Sequence, residues 1–595
     1  MKVRYLLVSF VVGLGLAVAV LGWLGGAARA DATPVHYVAS TGTDSGACTN
    51  PAQPCRTVQH AMDRAGDGDV IKVAQGTYTG VQRRSAPLGY IGSGVITQVV
   101  YIGKSVTLRG GYTAANWETA DPAANPTVLD AQGLGRALFI AGDIGVTIEG
   151  LSITGGDATG LGGGPLLGEN VGGGAYVAAD RVALHDNRIF GNRVFSTTTD
   201  TVAYGGGLYL AERGTFTLDG NVVVSNTAGG HGGGLYLDKS VGLCSDNRFA
   251  SNTAMRGGGL FLAGSGATLR RNTVVSNAAD YGGGLLLWIS DGAILNGNTV
   301  VSNTADYGGG LYLDRSATVL ANHVVAGNRA SVAGSGLYVL ASSPRLLHTT
   351  IAHNGGGDGS GVYVTDDGKQ NFSAVTLINT ILGGHTVGIY VTAGNTATLE
   401  ATLWGSDAWA NDEDWGGAGL IIRDTRNEWW YDPDFVAGNY HISIASPALD
   451  KGVDAGVRDD VDGDPRPQGN GYDLGADETG LALTKRASPA LVLPGAQLHY
   501  TIYVTNTSGV TLTATLTDSL PGHVTPGGIL TWPLVTLPPG GIHMKTVVVT
   551  VAADYTGVLT NIVQATTDKG AGGTYVETSM AGYRPVYLPV VMRKH

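Results

Sequence analysis

Five of the nine tryptophans fall between residues 402 and 435: Trp404, Trp409, Trp415, Trp429 and Trp430. Beside them stand Tyr431 and the carboxylates Asp407, Asp412, Glu413, Asp414 and Asp424. Aromatic planes mixed with hydrogen-bonding carboxylates suit the faces and hydroxyls of sugar rings, so these six aromatic residues are the candidate glycan contacts. The same side chains could instead plug the end of the element that precedes them. Further on, Asp460, Asp462 and Asp464 have the alternate spacing that wraps Ca2+. Pro465, however, stands where an EF-hand loop requires glycine, and no Glu follows at the twelfth position, so a solvated Asp turn competes with a structural Ca2+. No other cofactor is expected. Phosphate loops, Cys/His zinc spacings, G-x-S-x-G elbows and dinucleotide fingerprints are absent, and no catalytic residue is assigned.

The elements that carry these residues belong to an unusual chain. Of 595 residues, 94 are glycine, about twice the ordinary share of ~7%. They come in clumps and not at every third position, which excludes collagen. Charged residues make up only 14% against a usual ~25%, while hydrophobic residues reach 43%, so the chain folds. A net charge of -12 argues against nucleic acid or anionic membranes as partners.

Residues 1–30 read as an export signal: Lys2 and Arg4, an apolar run, and Ala28-Arg29-Ala30, with cleavage expected between Ala30 and Asp31. The apolar run is also long enough for an uncleaved anchor, but no span is expected in the mature chain. The destination is then the cell surface or the medium. Cys48 and Cys55 flank a proline-bounded loop, and in an oxidising compartment they are expected to pair. Cys244 is left as a buried thiol.

The third glycine of each clump falls at Gly174, Gly207, Gly234, Gly259, Gly284, Gly310, Gly336 and Gly361, mostly 25 or 26 residues apart. A second register, Asn187, Asn221, Asn247, Asn272, Asn298 and Asn322, runs through the same repeat. Each period reads as glycine corner, strand (GLYL), polar turn, strand, Asn, strand and turn. The strands are too short for helices and rich in Val, Leu, Thr and Tyr. Three short strands per period describe one coil of a solenoid, whose inward face is buried only by stacking on its neighbours. Asn at a fixed corner tolerates left-handed backbone and bonds to the Asn of the next coil.

With that repeat the sequence resembles the right-handed parallel β-helix proteins of the pectate-lyase-like superfamily. The entry segment YVASTGTDSGACTNPAQPCRTVQHAMDRAGDGDVIKVAQGTYTG resembles that of bacterial extracellular members. There Val58, Ala61, Met62 and Ala65 share one face of a helix that caps the pile, and the first strand is expected at residues 70–73. NYHISIASPALDKGVDAGVRDDVDGDPRPQGNGYDLGADE resembles the segment that finishes such helices. Together these imply one solenoid domain over residues 31–478.

The resemblance is weaker for activity, because this fold hosts lyases, hydrolases, epimerases and adhesins. Polygalacturonases of the superfamily use N-T-D, D-D, G-H-G and R-I-K in that order. Here Gly230-His231-Gly232 reproduces one motif, Asp366-Asp367 comes after it, and the other two are missing. Lyases need a Ca2+-binding carboxylate cluster and a base; Arg256, Arg270 and Arg271 are candidate bases, but Asp238, Asp291, Asp314 and Asp366 read as turn residues.

Residues 481–580 alternate apolar and polar at period two between Pro/Gly turns, as about seven strands of an antiparallel sandwich. They resemble the immunoglobulin-like conserved repeat of bacterial surface proteins, whose usual role is a stalk. Residues 581–595 form a short apolar tail. The expectation is an all-β, monomeric, exported scaffold for adhesion, display or glycan binding. A polysaccharide lyase or glycoside hydrolase is the alternative, with its cleft built by residues 81–99 or 194–204, and a structural envelope component is the third reading.

Overall fold

The computed structural model describes residues 33–211, 214–435, 440–442, 446–468, 471–478, 480–489, 491–506, 511–567 and 572–582. The expected cleavage site, Ala30 and Asp31, and residues 583–595 lie outside them.

The chain winds into a parallel β-helix of three sheets. One coil shows the rule: Leu235–Asp238 lies in the first sheet, Val241–Ser245 in the second and Arg248–Ala250 in the third. Each strand pairs in parallel with its successor, so that Leu235, Leu260, Leu285 and Leu311 stack in one row. Alternation sends Leu260 and Leu262 inward and Phe261 outward. The inward residues of all three sheets, among them Leu237, Cys244 and Phe249, join one continuous core that no single coil could bury. Cys244 is the buried free thiol expected.

Each coil turns three times with the same two-residue device. At the corner after the third sheet, Ser225, Ser251, Ser276 and Ser302 have φ of +53° to +56°. The next residue is a buried Asn whose Nδ2 donates to the Oδ1 of its counterpart in the following coil. Asn226, Asn252, Asn277, Asn303, Asn328 and Asn354 make this ladder at 2.9–3.0 Å. A second ladder, Asn187, Asn221, Asn247, Asn272 and Asn298, fills the corner between the second and third sheets. The serines 240, 265, 290, 316, 342 and 373 form the third, each hydroxyl accepting the preceding serine's backbone N–H at 2.9–3.2 Å.

Two expectations about this register need correction. The left-handed residue is the one before the ladder position, such as Asp186 or Asp246, and not the ladder Asn. Asn322 is one of these left-handed residues, and His323 takes the ladder place, its Nδ1 accepting from Asn298 N at 3.0 Å. Burial pushes the His323 imidazole down to about 4, so it is the neutral acceptor this position needs. The glycine clump sits where backbones touch: a Cβ on Gly233 would lie 2.5 Å from the carbonyl oxygens of Gly258 and Thr253.

At the start of the pile the first strand is Val35–Val38, not residues 70–73; it pairs in parallel with Val70–Ala74. The helix Val58–Arg64 buries Val58, Ala61 and Met62 in the core. Its Gln59 carboxamide meets the open edge of Val95–Ile102: Oε1 accepts from Tyr101 N at 2.6 Å and Nε2 donates to Tyr101 O at 3.3 Å. That is edge protection by a side chain. Cys48 and Cys55 are joined by a disulfide beside this helix.

Residues 446–478 do not close the other end. They run back along the outside of the third sheet, because that face is apolar in these coils. Val324, Ala326 and Ala352 pack against Val461 and Ala476, and Ile381, Ala401 and Leu403 against Ile442, Ala448 and Leu474. The strap is pinned by Asn379 Nδ2 donating to Val453 O (2.7 Å), Ala476 N to Thr350 Oγ1 (3.0 Å) and Asn322 Nδ2 to Asp459 O (2.7 Å).

Beyond residue 480 two further sheets, of four and five strands, enclose a separate apolar core that includes Leu498, Tyr500, Ile502, Val549 and Val563. All of their pairings are antiparallel except Leu491–Val492 with Gly572–Ala581. Among the described residues no helix is long and apolar enough to cross a membrane.

Candidate functional site

The tryptophans do not form one surface. Trp404 is fully buried in the solenoid core, directly under Trp415 at 5.6 Å, so it reaches no ligand and is removed from the glycan candidates. Trp415 pairs in register with the inward Ile389, and Trp430 with the inward Trp404. Both therefore lie over the core of the last coil. They are 37% and 46% exposed because no further coil follows among the described residues. The Arg423 guanidinium covers the Trp415 ring at 3.8 Å, and Trp430 Nε1 donates to Asp414 Oδ2 at 2.7 Å. Trp409 stacks on His353 at 4.0 Å and meets Phe435, while Trp429 packs under the strap. Tyr431 is exposed. The geometry is that of a plug with an exposed outer face.

The aspartates of the strap divide as well. Asp460 is buried, and its Oδ1 accepts the backbone N–H groups of Asp462, Gly463 and Asp464 at 2.9, 2.9 and 2.7 Å, so that oxygen holds the turn. Asp460, Asp462 and Asp464 are not assembled as one ligand set. Asp462 instead converges with His441 and Asp477, ligand atoms all within 4.8 Å. Ca2+ prefers oxygen donors throughout, so a set containing imidazole fits a transition ion better than the Ca2+ first considered. A cavity of about 560 Å3 between strap and coils opens beside it, lined in part by Arg271, Tyr440, His441 and Asp462.

Burial raises the carboxyls of Asp460, Asp464 and Asp477, Asp464 to about 7, with the neighbouring aspartates adding to the effect on each. Folding therefore favours their protonated forms. Their cost is absent at low pH, where both folded and unfolded chains are protonated, and grows as pH rises through the unfolded carboxylate range towards 7. The protection factors of amides in residues 446–478, corrected for the intrinsic pH dependence of exchange, are expected to be larger at pH 5 than at pH 8. Equal protection at both values would show that these carboxyls are not strained by burial.

A third arrangement was not anticipated. On the outside of the first sheet, the middle residues of the repeated GLYL strands stack into a file of rings: Phe139, Tyr176, Tyr209, Tyr236 and Phe261, with centroids 4.6–5.9 Å apart. Tyr312, Tyr338, Tyr363 and Tyr390 continue it at 5.0–5.3 Å. Leu286 interrupts the file between Phe261 and Tyr312. A flanking column holds Tyr204, His231, Arg256, Tyr281 and Tyr307, each one residue before its glycine clump. At the interruption the exposed Arg256 lies 5.2 Å over the Tyr281 ring, and Trp288 stands 38% exposed two residues beyond Leu286. The signal was present in the sequence as the recurring Tyr of GLYL, but tyrosine is also a common strand former, and period two alone did not separate an outer file from ordinary sheet.

His231 of the Gly-His-Gly motif belongs to this column. It stacks on Tyr204 at 5.4 Å, and burial together with Arg256 holds its imidazole down at about 3. It is neutral at physiological pH. Tyr204 donates to Glu169 at 2.6 Å and Tyr209 to Asp238 at 3.0 Å, so both acids are engaged with phenols. Arg270 pairs with Asp459 and Arg271 with Asp246, which ties two of the three candidate bases into ion pairs. The insert at residues 81–99 folds over the start of the file: Tyr90 packs edge-on against Phe139 and Tyr176.

Residues 132–305 and 231–403 match the family model described as right handed beta helix region. No curated protein matches the sequence at a significant level. Among solved structures, the periplasmic alginate epimerase AlgG aligns over 60% of this chain and 77% of its own at 13% identity, with a TM-score of 0.26. The alkylpurine DNA glycosylase AlkC of Pseudomonas fluorescens aligns over 18% of this chain at 10% identity and a TM-score of 0.14, and the chain spans 31% of its length. For Spo0M, a sporulation control protein of Bacillus subtilis, the figures are 18%, 10% and 0.13, with half of that protein's length spanned. Similarity this low says nothing about substrate. The coil geometry and the family match agree that the chain contains a right-handed parallel β-helix, followed by separate antiparallel sheets.

Proposed function

We propose that the protein is an exported β-helix scaffold that binds an acidic polysaccharide on the outer side of its first sheet, at the break in a file of otherwise mostly buried rings, without turning it over. The observation that carries this reading is the break in the aromatic file at Leu286, where Arg256 and Trp288 are both exposed and the half-buried Tyr281 ring lies under the Arg256 guanidinium. Aromatic faces suit sugar rings, and a guanidinium suits a uronate carboxylate. The export signal at residues 1–30 and the surface-protein resemblance of residues 481–580 support display outside the cell. The end plug offers a second, smaller aromatic surface at Trp415, Trp430 and Tyr431. A structural cation at the strap remains part of the proposal, now with His441, Asp462 and Asp477 as its ligands.

Affinity electrophoresis against neutral and uronic-acid polymers tests the reading. Arg256→Ala and Trp288→Ala are each expected to weaken retention by about tenfold, the loss of about 1.4 kcal/mol at a recognition side chain, with no change in melting temperature. Retention unchanged in both variants would move the site elsewhere. Release of new reducing ends by the native protein would replace binding with polysaccharide cleavage.

A further inference from the structure

In the core between the two C-terminal sheets, Lys485 and Asp518 lie side by side with both side chains fully buried, and Lys485 Nζ donates to Asp518 Oδ1. Lys485 belongs to Leu481–Ser488 in the four-stranded sheet, opposite the buried Ile502. Asp518 is the penultimate residue of the strand Leu512–Ser519 in the facing sheet and stands opposite Val563 of Gly557–Thr567. Asn561, two residues from Val563, therefore projects from the same inward face beside Asp518. It is fully buried and lies against Asp518 and Tyr500, with neither Oδ1 nor Nδ2 in a well-formed hydrogen bond. Asp518 Oδ2 is also without a partner, and the ammonium sits 4.7 Å over the Tyr500 ring.

As a set of non-covalent groups this is costly. A buried ion pair repays its desolvation only when its remaining donors and acceptors are satisfied, and an unpaired buried carboxamide adds a further penalty. As a set of reactants it is complete. Burial pushes the Lys485 ammonium down and the Asp518 carboxyl up, so a proton passes readily from one to the other and leaves a neutral amine.

We propose that Lys485 and Asn561 become joined by an amide bond, with Asp518 as the catalytic proton carrier. Lys485 Nζ attacks Asn561 Cγ, and the carbonyl electron pair moves to Oδ1. Asp518 takes a proton from the attacking nitrogen and gives it to Nδ2. The Cγ–Nδ2 bond then breaks, the carbonyl re-forms, and ammonia leaves. Asp518 returns to its starting state, and no oxidant, reductant or co-reactant is consumed. Asn561 is favoured over Asp518 as acyl donor because the second route lacks a proton carrier: the next carboxylate, Glu577, is only half-buried and already accepts from Ala487 N at 2.9 Å. The product replaces two buried charges by one neutral amide that bridges the two sheets.

Intact-mass spectrometry of the full chain, with its N-terminus assigned by sequencing and its disulfide counted, tests this directly. The whole population is expected to be lighter than its sequence by one ammonia, and a protease digest to contain a branched peptide joining Lys485 to Asn561. Lys485→Arg, which keeps the ion pair, and Asp518→Ala are each expected to restore the full mass. A native chain at full mass with only linear peptides covering both residues would overturn the proposal. So would the loss of one water with the branch at Asp518, which would make the aspartate the acyl donor.

Discussion

Asn277→Ala is expected to destabilise the solenoid by about 4 kcal/mol, through loss of buried hydrogen bonds with little loss of packing, since each unsatisfied buried group costs roughly 1–3 kcal/mol. The Asn277 carboxamide accepts from both Asn252 N (2.9 Å) and Asn252 Nδ2 (3.0 Å), and donates to Phe249 O (3.0 Å) and Asn303 Oδ1 (3.0 Å). Alanine leaves the Asn252 N–H and the Phe249 carbonyl with nothing to replace them in a site from which water is excluded. Urea denaturation followed by far-ultraviolet circular dichroism measures the effect. Thr273→Ala, a partly exposed position in the same coil, serves as the control and is expected to stay within about 0.5 kcal/mol. A loss for Asn277→Ala no greater than for the control would mean that the ladder is ornamental and that stacking of apolar side chains alone fixes the coils.

The second large effect concerns the strap. Arg466→Ala is expected to cost about 3–5 kcal/mol, the usual penalty for removing one partner of a buried ion pair. Arg466 and Glu478 have no exposed side-chain surface and meet at 2.6 Å. The guanidinium also donates to Gly475 O (3.0 Å) and Ala476 O (2.6 Å), while Glu478 accepts from Gln468 N (2.7 Å) and Asp473 N (3.0 Å). One pair thus gathers the Arg-Pro and the terminal Asp-x-Gly-Ala-x-Glu of the sequence into a single knot. Limited proteolysis gives the readout: the variant is expected to be cut within residues 446–478 well before the coils are touched. Coils and strap digested together would show that the strap has no independent stability to lose.

These two sites differ in how far the sequence disclosed them. The coil was legible because its period is imposed by sterics at the glycine clump and by one kind of side chain at one corner, and both recur in register. The second Asn file, Asn192 to Asn354, is present in the same letters but goes unmarked in the sequence reading, because it stands beside polar turn residues, and the serine file is hidden because serine is ordinary turn chemistry. Asn322 was assigned to the ladder on its residue type; only the backbone, left-handed there, shows that His323 holds the place. The direction of the strap was not legible at all. It depends on outward apolar residues such as Val324 and Leu403, whose outward sense follows from strand register and not from composition. The tryptophans were conspicuous for their chemistry, yet their position is set by the coil on which they lie. The Lys485, Asp518 and Asn561 constellation was invisible because its members are far apart along the chain, in three strands that period two describes equally well without them.

The ladders have a consequence for how such a gene changes length. Partners in the solenoid ladders are most often 25 or 26 residues apart, and each coil presents to the next the same three corners that it received from the one before. Duplication or deletion of one whole unit by recombination between repeats therefore leaves every corner matched. A change of any other length between two corners of the stacked coils, unless a loop absorbs it, puts a strand residue where a buried carboxamide is required. Inheritance is thus quantised: the rod grows or shrinks by whole coils, and the odd-length inserts that survive are confined to loops such as residues 194–204, outside the stacked corners.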